Sequence, residues 1–107
     1  MNLKAFKMDG LGNDFVIFDN REKANHLDKN QIIKVADRKF IGCDQLIFIN
    51  NSKDCDVELD FFNSDGEKSP VCGNGTRCVA YLISKEKNKK KITTKTSGRI
   101  PKSKILE

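Results

Sequence analysis

The most restrictive feature of this 107-residue chain is a segment near residue 80 that would be apolar on nearly every side of a helix. The helix is expected to begin near Asn74 or Gly75, and it carries the run Cys78-Val-Ala-Tyr-Leu-Ile83. A helix that is apolar all round has to be buried by other elements. The fold must therefore supply a surface that encloses this helix.

Strand patterns supply that surface. Residues 2–8 and 55–61 alternate apolar and polar side chains, which is the period of half-buried strands. Residues 15–18 and 46–49 are continuous apolar runs, which indicates burial on both faces. Two more strands are expected at 91–96 and 99–106, around the turn Ser97-Gly98.

A first helix is expected from Asp28 to about Lys39. Asp28 can cap its start, Leu27 precedes the cap, and Gly42 lies beyond its basic end. Strands with two helices make the chain α+β, and 107 residues are normally one domain, so residues 1–107 are expected to form a single domain.

Charge and composition exclude several classes of protein. The net charge of +5 is concentrated in the lysine-rich run 85–91, which indicates a solvated loop and not a nucleic-acid surface with interleaved aromatic residues. No apolar stretch approaches a membrane span, and the N-terminus does not resemble a signal peptide, so no membrane contact and a cytoplasmic location are expected. The four cysteines form no C-x-x-C pair and the chain has one histidine, His26, so free thiols and no structural zinc are expected.

Three loops combine glycine with amide or carboxylate residues and form the candidate site. Glycine allows the backbone to approach a ligand, while amides offer donors and acceptors without net charge, which suits a zwitterionic amino acid. Taken singly, each loop is more typical of an ordinary turn. Their sequences are Gly10-Leu-Gly-Asn13-Asp, Gly42-Cys-Asp-Gln45, and Asn63-Ser-Asp-Gly66 leading to Cys72-Gly73-Asn74-Gly75.

Cys72 is the candidate reactive group because it immediately precedes a helix start. Exposed backbone N–H groups and the helix dipole stabilise a thiolate there, which predicts a lowered pKa. Gly73 and Gly75 leave those N–H groups open to a carboxylate. The alternative is a buried, inert cysteine. Cys43, Cys55 and Cys78 are expected to be packing residues, and His26 a surface residue.

These loops in this order and spacing resemble the N-terminal half of diaminopimelate epimerase, from about Phe6 to Gly98. The resemblance implies a mixed or antiparallel sheet wrapped around a central helix. It also implies interconversion of LL- and meso-2,6-diaminopimelate, in lysine and peptidoglycan biosynthesis, with neither pyridoxal phosphate nor a metal. Two cysteines on opposite faces of the substrate would perform the proton transfers.

By the same resemblance, Cys72 is one of the two catalytic cysteines, and the substrate is bound by Asn13, Gln45, Asn63, Gly73 and Asn74. The second cysteine belongs to a second domain in that family, and this chain has no second Cys-Gly-Ser or Cys-Gly-Thr block. The chain is therefore expected to be a truncated N-terminal domain that is inactive alone. A homodimer, or a separately encoded second half, is the partner this implies.

Two alternatives stay open at the level of sequence. The first is a related cofactor-independent isomerase, such as a proline racemase, that uses the same pair of thiols on another amino acid. The second is a non-catalytic remnant or a binding subunit.

Overall fold

The computed structural model describes residues 5–10, 12–22, 26–69, 73–96 and 102–105. In this part of the chain two helices and seven strands form an α+β domain, which confirms the expected fold class. In chain order they are β1 (Ala5–Gly10), β2 (Asn13–Asp19), α1 (Lys29–Ala36), β3 (Gln45–Asn50), β4 (Val57–Asn63), β5 (Lys68–Ser69), α2 (Gly73–Lys87), β6 (Lys91–Thr96) and β7 (Lys102–Ile105).

All the strands belong to one mixed sheet. Its order is β1-β2-β3-β4-β6-β7, and the short β5 pairs with β4. The β2–β3 and β4–β6 pairs are parallel, and the remaining pairs are antiparallel. The parallel pair β2–β3 requires a crossover, which α1 provides.

The two central apolar strands are buried on both faces, as their continuous apolar runs predict. Successive side chains of a strand point to opposite faces. One face of the sheet packs against α2 and includes Phe15, Ile17, Ile47 and Ile49. The other face packs against α1 and includes Val16, Phe18, Leu46 and Phe48.

Helix α2 is held in a curve of the sheet. It contacts β1 and β6, which lie on opposite sides of the central strands. One strip of the helix nevertheless stays exposed, formed by Arg77, Tyr81 and Lys85 at intervals of four residues. Tyr81 is 47% exposed, and the Lys85 Nζ atom lies 4.7 Å from the centroid of its ring. Enclosure on nearly every side, as expected from the sequence, is therefore not complete in the described residues.

Several boundaries differ from the sequence-based expectation. Helix α1 ends at Ala36 and not near Lys39, because Asp37 takes an extended backbone conformation. The strand expected at 55–61 is β4, shifted two residues later, and the side chain of Asp56 instead accepts hydrogen bonds from Thr93. The two-residue strand β5 was not expected. Of the predicted strands, residues 2–4, 99–101 and 106 lie outside the described residues, as does the turn at 97–98.

Candidate functional site

Gln45 and Asn63 contact each other at one end of the sheet, where Asn13 also begins β2, and we call these three amides the amide cluster. Gln45 is paired with Asn63 in the β3–β4 register and with Phe15 in the β2–β3 register. Each amide is two residues away from an apolar residue that packs under α2. Because side chains two apart share a face, the amide cluster continues the face that α2 covers.

Gln45 is the centre of this cluster. Its Nε2 atom donates to Asn63 Oδ1 at 3.1 Å and to Ser69 Oγ at 2.9 Å. Its Oε1 atom is buried and accepts no hydrogen bond from the residues that the structure describes. A buried polar atom without a partner is costly, so a native site with one is suited to a ligand that donates a hydrogen bond.

Helix α2 begins directly beside the amide cluster. A Cβ atom on Gly75 would lie 2.8 Å from Ile47 Cδ1, 3.0 Å from Phe61 Cε1 and 3.3 Å from Phe15 Cε1, so glycine permits the close approach of the first turn to the sheet. At the other end of the helix, Glu86 binds Arg21, just past the end of β2. The helix therefore runs away from the amide cluster and presents its N-terminus to it.

Gly73 and Asn74 are in the first turn of α2. The first N–H groups of a helix have no partner within the helix, and the helix dipole makes this end attractive to anions. Cys72, the predicted reactive thiol, immediately precedes this turn but lies outside the described residues.

A second group of side chains fixes the starts of β2 and β3, and we call it the arginine clamp: Arg38, Asp14 and Asp44. Arg38 Nη1 donates to Asp14 Oδ2 at 2.5 Å, and Nη2 donates to Asp14 Oδ1 at 2.9 Å and to Asp44 Oδ1 at 3.2 Å. The guanidinium beside Asp14 holds the pKa of that carboxyl well below its usual range. The clamp and Asn13 line an open cleft of about 430 Å³.

The other cysteines have the surroundings of packing residues. Cys43 is buried, and burial raises the pKa of its thiol to about 11. Cys78 is on α2 and is buried in the core between this helix and the sheet, whereas Cys55 is partly buried. His26 is exposed, as expected for a surface residue.

No group of three or more histidine, cysteine, aspartate or glutamate side chains in the described part of the chain is placed to hold a metal ion. Neither helix in that part of the chain is long and apolar enough to cross a membrane.

Two participants at the site were missed by reasoning from sequence. Ser69 contacts Gln45 because β5 pairs with β4, and two residues are too few to show a strand pattern. Arg38 was not among the site residues expected from the sequence. The acidic residues beside two of the amides, Asp14 after Asn13 and Asp44 before Gln45, were the available signal that a basic partner would be close.

The family model and the curated relatives that match this chain agree on one family. A family model described as diaminopimelate epimerase matches residues 5–106. A diaminopimelate epimerase of Pelagibacter ubique is 63% identical over 106 residues, which are 99% of this chain and 39% of the relative. One of Phenylobacterium zucineum is 42% identical over 102 residues, 94% of this chain and 37% of the relative. The chain thus spans under two fifths of the length of these relatives.

Solved structures show the same fold at low sequence identity. A phenazine biosynthesis protein of the PhzF family from Enterococcus faecalis superposes with a TM-score of 0.74 at 12% identity, covering 100% of this chain and 41% of that one. A PhzF-family protein from Bacillus anthracis gives 0.59 at 24% identity, covering 92% and 33%. At such identities the likeness concerns the fold alone.

Proposed function

Because the chain belongs to the diaminopimelate epimerase family, we propose that it forms the N-terminal half of an active site that interconverts LL- and meso-2,6-diaminopimelate. The amide cluster and the backbone of Gly73 and Asn74 would bind the substrate. Cys72 would exchange the proton on one face of the α-carbon. The reaction places the protein in lysine biosynthesis.

The proton transfers follow from the chemistry of a thiol pair. One thiolate takes the α-proton and leaves a planar carbanion, and a thiol on the opposite face returns a proton with inverted configuration. The helix start beside Cys72 would stabilise its thiolate and would also attract the substrate carboxylate. This scheme needs no cofactor.

The buried Gln45 Oε1 atom is the observation that carries the proposal. The Nε2 atom of this amide already donates to Asn63 and Ser69, so a ligand would have to bring a donor to the oxygen. A substrate ammonium group provides that donor, and its carboxylate can bind the nearby N-terminus of α2. An amino acid therefore complements both parts of the site.

The second thiol is proposed to come from outside this chain. The relatives are more than twice as long as the matched segment. We propose that residues 1–107 are the N-terminal domain and that a second domain, joined or separately encoded, closes over the amide cluster. The isolated chain should bind substrate without inverting it efficiently. The free thiols Cys43 and Cys55 agree with the proposed cytoplasmic location.

The test is a titration of the ¹⁵N-labelled chain with LL-diaminopimelate, followed by NMR through the side-chain amide signals of Asn13, Gln45 and Asn63. Those signals should shift together along one saturable curve. L-lysine, which lacks the second carboxylate, and L-proline are the control ligands, and both should bind more weakly.

Two variants sharpen this titration. Gln45→Leu removes the buried oxygen at similar size and should abolish most of the binding, whereas Asn30→Ala removes an exposed amide on α1 and should leave binding unchanged. Saturable binding that is stronger for L-proline than for diaminopimelate would contradict the proposed substrate. No binding of any of the three amino acids would contradict the proposed site.

A further inference from the structure

The loop between α1 and β3 is folded tightly onto Arg38. The N–H groups of Gly42 and Cys43 donate to the carbonyl oxygens of Val35 and Ala36 at 3.0 and 3.2 Å. Gly42 has a φ of +81°, and a Cβ atom there would lie 2.8 Å from Arg38 Cδ and 3.0 Å from its Cα. Glycine is needed at this point because the loop backbone passes against the arginine. The loop thereby fixes the stem of Arg38 relative to β3.

The two carboxylates that Arg38 binds also bind each other's backbones. Asp14 N donates to Asp44 Oδ2 at 3.0 Å, and Asp44 N donates to Asp14 Oδ1 at 2.8 Å and to Asp14 O at 3.0 Å. These reciprocal bonds join the start of β2 to the residue that precedes β3. Two carboxylates held this close repel each other unless a cation lies between them. Arg38 supplies that cation.

Each clamped aspartate adjoins one member of the amide cluster. Asn13 immediately precedes Asp14, and Gln45 immediately follows Asp44. From this connection we propose that Arg38 is a positioning residue, which acts through Asp14 and Asp44 to hold Asn13 and Gln45 in register for ligand binding. The inference deepens the proposed function and rests on it for the identity of the ligand.

The exposure of Arg38 argues against a mainly structural role. Its side chain is 58% exposed, and exposed ion pairs contribute little to the stability of a fold. A planar fork that reaches two carboxylates at once does, however, fix their relative geometry, which a single ammonium group cannot do equally well. Arg38 is therefore expected to keep the side chains of the site ordered more than it stabilises the fold.

Arg21 provides a matched control at the opposite end of β2. It also holds two carboxylates, Asp19 at 2.7 Å and Glu86 at 2.5 Å, but its side chain is only 18% exposed. Asp19 ends β2 and Glu86 lies near the end of α2, away from the amide cluster. Arg21→Gln should therefore lower the stability of the fold at least as much as Arg38→Gln does, but it should leave the affinity for the ligand unchanged.

The experiment compares Arg38→Gln, Arg21→Gln and wild type by NMR titration with LL-diaminopimelate, by thermal unfolding, and by ¹⁵N relaxation of the Asn13 and Gln45 side-chain amides. Arg38→Gln should weaken binding about tenfold, since two side chains must then be ordered on binding. Its amide groups should also become more mobile before ligand is added. Arg21→Gln should lower the melting temperature and keep both the affinity and the amide mobility of wild type.

The positioning role is overturned if Arg38→Gln retains wild-type affinity and amide mobility, or if Arg21→Gln weakens binding equally. The relaxation comparison does not need a ligand. If wild type fails to bind diaminopimelate, the proposed function fails, while rigid amides in wild type and mobile ones in Arg38→Gln would still support the clamp.

Discussion

Gly75 determines how closely the start of α2 approaches the sheet. Alanine is normally favoured over glycine inside a helix, by up to about 1 kcal/mol. At this position its methyl group would meet Ile47, Phe61 and Phe15, all fully buried side chains that have little room to move. The packing conflict should therefore outweigh the gain in helix propensity.

Gly75→Ala is accordingly expected to lower the free energy of unfolding by about 1–2 kcal/mol, as overpacked cores do. Chemical denaturation at neutral pH measures this change. Arg77→Ala, at an exposed position of the same helix, is the control and should stay close to wild type. A Gly75→Ala variant more stable than wild type would show that the methyl group is accommodated.

Cys72 is expected to react faster than the other thiols, since a cysteine just before a helix start has a lowered pKa. Burial raises the pKa of Cys43 to about 11 and also shields Cys78, so both should react slowly. Alkylation by iodoacetamide between about pH 6 and pH 9, with the labelled peptides identified by mass spectrometry, measures each rate. Cys72→Ser should remove the fast phase.

The partly buried Cys55 is the reference thiol for these alkylation rates within the same chain. A Cys72 rate at neutral pH no faster than that of Cys55 would remove the argument that its thiol is activated.

At the scale of elements, α1 is fixed at both ends by local interactions. Asp28 caps its start with a full capping box, in which Gln31 N donates to Asp28 Oδ1 at 2.8 Å and Asp28 N donates to Gln31 Oε1 at 2.8 Å. At its end, Asp37 N still donates to Ile33 O at 3.0 Å while Asp37 itself leaves the helical conformation. The helix therefore delivers Arg38 to a defined position after its last turn.

Asp28→Ala should lower the free energy of unfolding by about 1 kcal/mol, because Gln31 N then loses its side-chain acceptor. Asn30→Ala, in the same first turn, should instead be neutral or slightly stabilising, since alanine has the higher helix propensity. Thermal or urea denaturation of the pair distinguishes the two effects. Equal changes in both variants would mean that the cap contributes nothing specific.

At the scale of the whole molecule, ion pairs tie the ends of distant elements together. Asp56 Oδ1 lies 3.3 Å from Lys87 Nζ and 2.9 Å from Lys89 Nζ, and its Oδ2 atom accepts from Thr93 N at 2.8 Å. This carboxylate joins the start of β4 to the end of α2 and to β6. Burial alone would raise the pKa of Asp56, but the hydrogen bonds from Thr93 and Lys89 outweigh it and hold that pKa well below its usual range.

A lowered pKa makes the stability depend on pH in a defined direction. The unfolded carboxyl, with a pKa near 3.8, takes up its proton before the folded one does. The contribution of Asp56 is therefore complete above that value and is lost as the pH falls toward the lower pKa of the folded protein. Asp14 acts in the same direction because Arg38 holds its pKa down.

Asp56→Asn should be less stable than wild type by about 2 kcal/mol at pH 7, since hydrogen bonds to a charged group are lost. The difference should shrink as the pH is lowered from about 5 to about 2, because only wild type has this carboxylate to protonate. Urea denaturation across that range measures the slopes. Parallel loss of stability in both proteins would contradict the role assigned to Asp56.

The sequence by itself determined the features that depend on near neighbours in the chain. Alternation fixed which face of β4 is buried, and the two continuous apolar runs predicted the two-sided burial of β2 and β3. The Asp28 cap was predicted because its partners are three residues away. The glycine-amide motifs also indicated the family, through their resemblance to diaminopimelate epimerase, and the family is confirmed.

Only the tertiary structure decided which distant groups meet. Gln45 contacts Ser69, and Arg38 contacts Asp14, across separations of 24 residues in both cases. Strand register fixes the first contact and the fold of the loop between α1 and β3 fixes the second, and neither can be read from a local pattern. The same holds for Gln45 Oε1, whose lack of a partner among the described residues is a property of its surroundings. A sequence shows that an amide is present, but packing decides which of its atoms is left for a ligand.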